Sequence, residues 1–241
     1  MHDNYVISNK NDDLQEIAVY VHPTRPLYRI TYEDFQKYRE GKFAGCKVVN
    51  GYMHLLEETY NNDEKNKFFA HQFFPTVLES AWDAEQKKKG TPFEKLVQSD
   101  EFKKDWAKWE KLHFPMHKND YWFLIVADKA KKEILIYDSL AHANKYHFEV
   151  TLKLINKRKK RNEQWTVNTQ QHLDIQQQKD GVNCGYITCW YAHQIATDQS
   201  VTCWPKEYHK ELKEMRENIM CSLIQKCIVT EMNKNKIWDG N

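Results

Sequence analysis

No apolar run in this chain approaches the roughly 20 residues that cross a bilayer, so a membrane-spanning protein is not expected. A basic excess is missing as well. The 36 lysines and arginines face 34 acidic residues, for a formal net charge of +2, which argues against general nucleic-acid binding. One dense basic stretch, Lys157-Arg158-Lys159-Lys160-Arg161, reads as the solvated end of a helix or as a nuclear localisation signal. None of the six cysteines makes a C-x-x-C pair, and none clusters with the eleven histidines at zinc spacing. Neither a structural metal nor a cofactor is therefore expected. The start, Met1-His2-Asp3-Asn4, lacks the basic-then-apolar layout of a secretory signal. The cysteines are then expected to be reduced and mostly buried, in a nuclear or cytoplasmic protein. There is no internal repeat, no low-complexity tract and no Gly/Ser linker.

What the chain does have is material for a core. Its 241 residues are 41% hydrophobic and 29% charged, a globular balance that suits one large domain. Ile17 to Val21 suggests a short strand ahead of Pro23. A capping threonine, Thr31, followed by Glu33 and Asp34, predicts a helix ending near Gly41. Val48, Val49, Tyr52, Leu55 and Leu56 recur at helical steps and predict a second helix to Tyr60. A third is expected over Phe68 to Trp82, broken near Pro75. Trp106 and Trp109, three apart, are expected to pack into a core or groove. Tyr121 to Ala127 and Ile134 to Tyr137 are apolar runs joined by a short polar turn, which predicts a hairpin at the centre of a sheet. Helices are expected over 145–161, after Cys184 and after Pro205, with short strands at Trp165–Val167 and His172–Ile175. The sum is one α+β domain.

The chemistry concentrates in Gln178-Lys179-Asp180-Gly181-Val182-Asn183-Cys184-Gly185. A thiol at a helix N-terminus lies at the positive end of the dipole, which favours the nucleophilic thiolate. A glutamine six residues upstream can donate to a developing oxyanion. Cysteine hydrolysis also needs a histidine to carry the proton and a third group to orient it.

The order Trp106 … Phe114-Pro115-Met116-His117 … Trp122 … Tyr137-Asp138-Ser139-Leu140 … Gln178 … Asp180-Gly181-Val182-Asn183-Cys184-Gly185 resembles the Ulp/SENP family of cysteine proteases, which process SUMO and related ubiquitin-like modifiers. Phe43-Ala44-Gly45-Cys46, Val48-Val49-Asn50 and Tyr52-Met53 are similar to the family's opening motif, and Phe68-Phe69 … Phe73-Phe74 to its phenylalanine-rich stretch. Arg216 and the apolar residues after it resemble its closing helix. The likeness implies a papain-like fold, with a mixed central sheet flanked by helices, over residues 28–228. It leaves 1–27 as a lead-in and 229–241 as a tail. It implies Cys184 as nucleophile, Gln178 as oxyanion donor and Asp138 as the group that orients the histidine. Trp122 would cover a channel for the modifier's diglycine tail, with Tyr121 and Gly185 in the same substrate-binding set. Only glycine lacks the Cβ that such a channel excludes.

The chain departs from the family at one position of consequence. The family's catalytic histidine directly precedes the tryptophan; here Tyr121 stands there. A phenol with a pKa near 10 does not replace imidazole as a base at neutral pH. His117 is an alternative base only if Lys118-Asn119-Asp120 folds the chain back, and the family carries a non-catalytic histidine at that place; His142 is another. Bland roles also stand open: Asp138 as a turn cap, Cys189 as a buried small hydrophobe, Gln176 and Gln177 as surface neighbours. Three functions follow. The first is a thiol isopeptidase acting on a ubiquitin-like modifier or its conjugates, as a monomer. The second is an impaired relative that binds the modifier without cutting it. The third is a cysteine acyltransferase.

Overall fold

The run Tyr121–Asp128 (β5) forms the middle strand of a mixed sheet in a computed structural model of the chain. The structure describes residues 16–20, 28–60, 66–68, 109–118, 120–141, 145–158, 163–168, 175, 177–201 and 208–225. A first pair, β1 (Glu16–Tyr20) and β2 (Tyr28–Thr31), is antiparallel and forms its own two-stranded sheet. Helices α1 (Tyr32–Arg39) and α2 (Cys46–Tyr60) follow. The main sheet runs β3 (Asn66–Phe68), β4 (Lys111–Lys118), β5, β6 (Glu133–Tyr137) and β7 (Thr166–Asn168), in that spatial order. Its outer pairings are parallel and its two inner ones antiparallel. The remaining helices are α3 (Lys145–Arg158), α4 (Cys184–Ala196) and α5 (Tyr208–Gln225).

Alternation along β5 decides what each face of the sheet covers. Trp122, Leu124 and Val126 join a core with α2, α4 and α5; Phe123, Ile125 and Ala127 join a second core with Leu154 and Ile155 of α3. Helices thus lie on both faces. A strand sealed on both sides reads as an unbroken apolar run, which is why β5 stands out in the sequence. Each aliphatic or aromatic side chain buried there contributes on the order of 1.5–3 kcal/mol.

The helix at Thr31 forms as its capping signature predicts. Thr31 Oγ1 accepts from the Asp34 amide, while Asp34 Oδ2 accepts from the Thr31 amide at 2.9 Å, a reciprocal box. Beyond its end Gly41 has φ +73°, a left-handed conformation that glycine adopts at no steric cost.

Residues 111–118 form a full strand, β4, a segment to which the sequence reading assigned no element. Its alternation is real, with Leu112, Phe114 and Met116 on the α3 side, but His113, Pro115 and His117 occupy the other face and disguise it. Pro115 is tolerated because β3 pairs only with Lys111 to His113, so its missing N–H lies beyond that neighbour. Phe68 lies in a short strand and not at the start of a helix. The rest of that helix, Trp106, His142 and most of the strand at His172 fall outside the described residues, as do residues 159–161 of the basic run.

Candidate active site

Cys184 opens α4, and its side chain is 1% exposed. The Trp122 amide donates to its Sγ at 3.5 Å, so the sulfur meets the start of β5. Asn183 precedes the helix, and its carbonyl accepts from Ile187 at 2.9 Å. Its side chain does not cap the first turn. It is turned instead to Arg216, which donates to Asn183 Oδ1 at 2.7 Å. The first-turn amides therefore remain directed at the thiol, as at any anion site on a helix N-terminus. Burial nevertheless pushes the Cys184 thiol above its ordinary value, more than amide bonds from Trp122, Gly185 and Cys184 itself lower it, and the Asp180 charge adds to the rise. No imidazole stands among these groups.

The loop leading into α4 is braced by Asp180. Its Oδ1 accepts from the amides of Val182 at 2.9 Å and Asn183 at 3.0 Å, and its Oδ2 accepts from the Tyr208 hydroxyl at 2.6 Å. Burial would raise this carboxyl, but these bonds outweigh it and hold the group below the usual carboxylate range. Tyr208 Oη also accepts from the Lys179 amide at 2.9 Å, tying α5 to the loop.

Gln178 sits at the head of the same loop. Its Oε1 accepts from Ser139 Oγ at 2.6 Å, and its amide donates to the Ser139 carbonyl at 2.8 Å. Its Nε2 donates to the Asp180 carbonyl at 2.6 Å, which engages one of two N–H groups. Ser139 follows Asp138, which leaves the end of β6 fully buried. Asp138 Oδ1 accepts from the Leu140 amide at 2.8 Å, so the turn-capping role is realised. Its charge raises the Tyr191 phenol on α4, second to that ring's own burial.

The chain does fold back between β4 and β5. Lys118 pairs with Tyr121, Asp120 has φ 59°, and His117 stands directly across from Trp122. Directly opposed residues share a face of the sheet, so His117 lies on the side of Cys184, with its ring 4.5 Å from that of Trp122. Burial lowers the His117 pKa, against a smaller opposite effect of Asp120. The Tyr121 ring instead stacks on Phe123 at 5.6 Å and packs against both cores. Gly185 is where the walls meet. A Cβ there would lie 2.8 Å from Ala44 Cβ and 3.2 Å from Trp122 Cδ1.

Cys184, Gly185 and His117 thus each lie against Trp122, and Gln178 joins the turn of Asp138. Sequence reasoning missed the supporting set of Ser139, Asp180, Tyr208 and Ala44. Asp180-Gly181 carried a readable signal, an aspartate able to bond amides two and three residues on; the others carried none. Among the described residues no His, Cys, Asp or Glu group could hold a metal ion, and no helix is long and apolar enough to cross a membrane.

A cysteine at the first turn of a helix, packed against a mixed sheet with helices on both faces, defines a papain-like cysteine peptidase fold. Residues 45–227 match the Ulp1 protease family, C-terminal catalytic domain, and the chain belongs to that family. It is 27% identical over 186 residues to Sentrin-specific protease 2 of Homo sapiens, a match covering 72% of this chain and 29% of that protein. The Mus musculus counterpart is 27% identical over 183 residues, with the same shares. Two solved structures share the fold. The C-terminal Ulp1 protease domain in complex with Smt3, the yeast ortholog of SUMO, has a TM-score of 0.65 at 20% identity over 91% of this chain and 90% of that one. The Chaetomium thermophilum Ulp1-like SUMO protease catalytic domain has a TM-score of 0.67 at 16% identity over 95% and 88%. The chain therefore spans under a third of the length of the curated relatives it matches.

Proposed function

We propose that this chain is a thiol peptidase domain, spanning residues 28–228, that acts on a SUMO-type modifier or its conjugates at the C-terminal diglycine. The observation that carries the reading is the crowding at Gly185, where Ala44 and Trp122 close over the helix turn that holds the Cys184 sulfur. Packing this close at Gly185 leaves no room for a Cβ, and a channel opened there suits a strand of glycines. Phe43, beside Ala44 in the chain, is a large apolar side chain left 46% exposed. The sulfur is shut in, so the Trp122 and Ala44 walls part when the tail enters.

In this reading Cys184 attacks the carbonyl of the second glycine; the amine joined to it leaves with the proton that His117 took from the thiol, and water then releases the tail from the sulfur. The first-turn amides of α4 and the second Gln178 N–H stabilise the oxyanion. His117, on the cysteine's side of the sheet, supplies the base. Its lowered pKa keeps His117 neutral at pH 7, as a base must be. Turnover is slow because the resting thiol is neutral. The domain works as a monomer in the nucleus or cytoplasm.

Hydrolysis of a modifier carrying a C-terminal fluorogenic amide tests this. Wild-type turnover should vanish in Cys184→Ala, fall by roughly 10²-fold or more in His117→Ala, the usual scale of a positioned general base, and rise in Tyr121→His. The thiol, raised with no imidazole acting on it, favours a second reading, a domain that binds the modifier without cutting it. Tight binding with no turnover in wild type and Tyr121→His alike would select that reading.

A further inference from the structure

A pocket of about 460 Å³ opens between α1 and α5, on the flank of the helix that carries Cys184. Its walls include Arg39, His209, Lys213 and Arg216, together with Tyr38 and Asn183, and among the described residues no acidic one lines it. Arg216 is the floor. It is 7% exposed, and among the described residues its guanidinium donates to neutral oxygens: Asn183 Oδ1 at 2.7 Å and the carbonyls of Tyr38 at 2.7 Å and Lys42 at 3.2 Å. The faces of Tyr186 and Tyr38 flank it at 4.5 Å and 5.8 Å. A buried charge ordinarily has a counterion, because desolvation is costly without one. Above it, Arg39 and Lys213 are exposed and take part in none of the ion pairs of the described residues. Glu217 acts on the Tyr38 hydroxyl but lies outside the lining.

We propose that this pocket binds a small polyanion with two or more phosphate-type groups. Three positively charged side chains converge on a concave site that, among the described residues, no carboxylate lines. Guanidinium groups match phosphate oxygens in a planar fork. The volume lies within the roughly 300–1,000 Å³ of small-ligand pockets, far more than one inorganic ion fills. Arg216 links the site to Asn183, the residue before Cys184, so a bound anion also neutralises charge next to the α4 N-terminus. This assignment does not depend on the peptidase reading.

Calorimetric titration of the full chain with tripolyphosphate, at fixed ionic strength, tests it. Citrate and a glutamate-rich peptide serve as comparators. One saturable site is expected for tripolyphosphate. The exposed double variant Arg39→Ala/Lys213→Ala should bind roughly ten- to a hundredfold more weakly, the loss expected for two charge-assisted contacts. Its unfolding midpoint without ligand should not change. Unchanged affinity in the double variant, or binding that disappears once ionic strength is matched, would overturn the proposal. Equal or tighter binding of citrate would overturn the phosphate assignment, and tighter binding of the peptide would reassign the pocket to a protein partner.

Discussion

Cys184 and Gly185 carry opposite demands on adjacent positions. The thiol needs an open reaction path, whereas the glycine marks the tightest point of the wall around it. Gly185→Ala places a methyl against backbone-anchored Ala44 and the indole of Trp122. It should destabilise the fold by about 1–3 kcal/mol, the usual cost of overpacking, and abolish diglycine binding. Gly51 in α2 is the control. A Cβ there would lie 2.9 Å from Leu223 Cδ2, the movable end of a flexible side chain. The helix preference of alanine over glycine, about 1 kcal/mol, offsets the shift, so Gly51→Ala should be nearly neutral. Urea midpoints at constant slope distinguish the two. Equal effects would show that the wall at Gly185 yields easily. At position 121 the phenol rests on Phe123, so a histidine there must change rotamer to reach the sulfur as well as supply a ring nitrogen.

The elements that frame the site differ in how openly the sequence announces them. Helices α1 and α2 and strands β5 and β6 follow from capping residues, three- and four-residue steps and unbroken apolar runs. Cys184 was legible because it begins a long apolar helix after a turn-forming segment. Strand β4 was not, since histidines and Pro115 fill the face that meets β3 and α4; with it went the fold-back that sets His117 opposite Trp122. The clamp from α5 could not be read at all, because Tyr208 meets Asp180 across 28 residues and Arg216 meets Asn183 across 33. That clamp makes a prediction for the loop before α4. Tyr208→Phe removes the donor to Asp180 and the acceptor for Lys179, and should cost about 0.5–1.5 kcal/mol at pH 7, the usual net contribution of a hydrogen bond. The folded-state pKa of Asp180 is depressed, so the stability it supplies is present above the unfolded value near 3.8 and is lost as pH falls through the folded one. The gap between wild type and Tyr208→Phe in urea unfolding should therefore be full at pH 7 and shrink below about pH 4. A gap independent of pH would mean that Asp180 does not carry the clamp.

At the scale of the whole molecule, His193 and His113 are two histidines among the described residues whose protonation the fold opposes. His193 on α4 bridges Tyr52 and Tyr60 of α2 through both ring nitrogens, each at 3.0 Å, and burial lowers its pKa to about 4. His113 in β4 bonds Asn66 Oδ1 at 2.9 Å and stacks on Phe68 at 4.3 Å; burial, with a smaller contribution from Lys111, lowers it to about 3. The unfolded chain takes up these protons near pH 6.5, and the fold refuses them until far lower pH. Stability should thus be level above about pH 7 and decline as pH falls from about 6.5 toward 4. His193→Gln should make that decline shallower in a series of unfolding midpoints. A midpoint that is flat between pH 8 and 5 would contradict the neutral His193 bridge. The proposed function requires the fold to bring a modifier tail, a sulfur and an oxyanion site together, and one measurement addresses that most directly: mass spectrometry of the chain after incubation with a SUMO-type modifier bearing a C-terminal electrophile. The account predicts one modifier per chain, attached at Cys184, absent in Cys184→Ala and formed faster in Tyr121→His. No adduct in either wild type or Tyr121→His, under conditions that saturate binding, would contradict it.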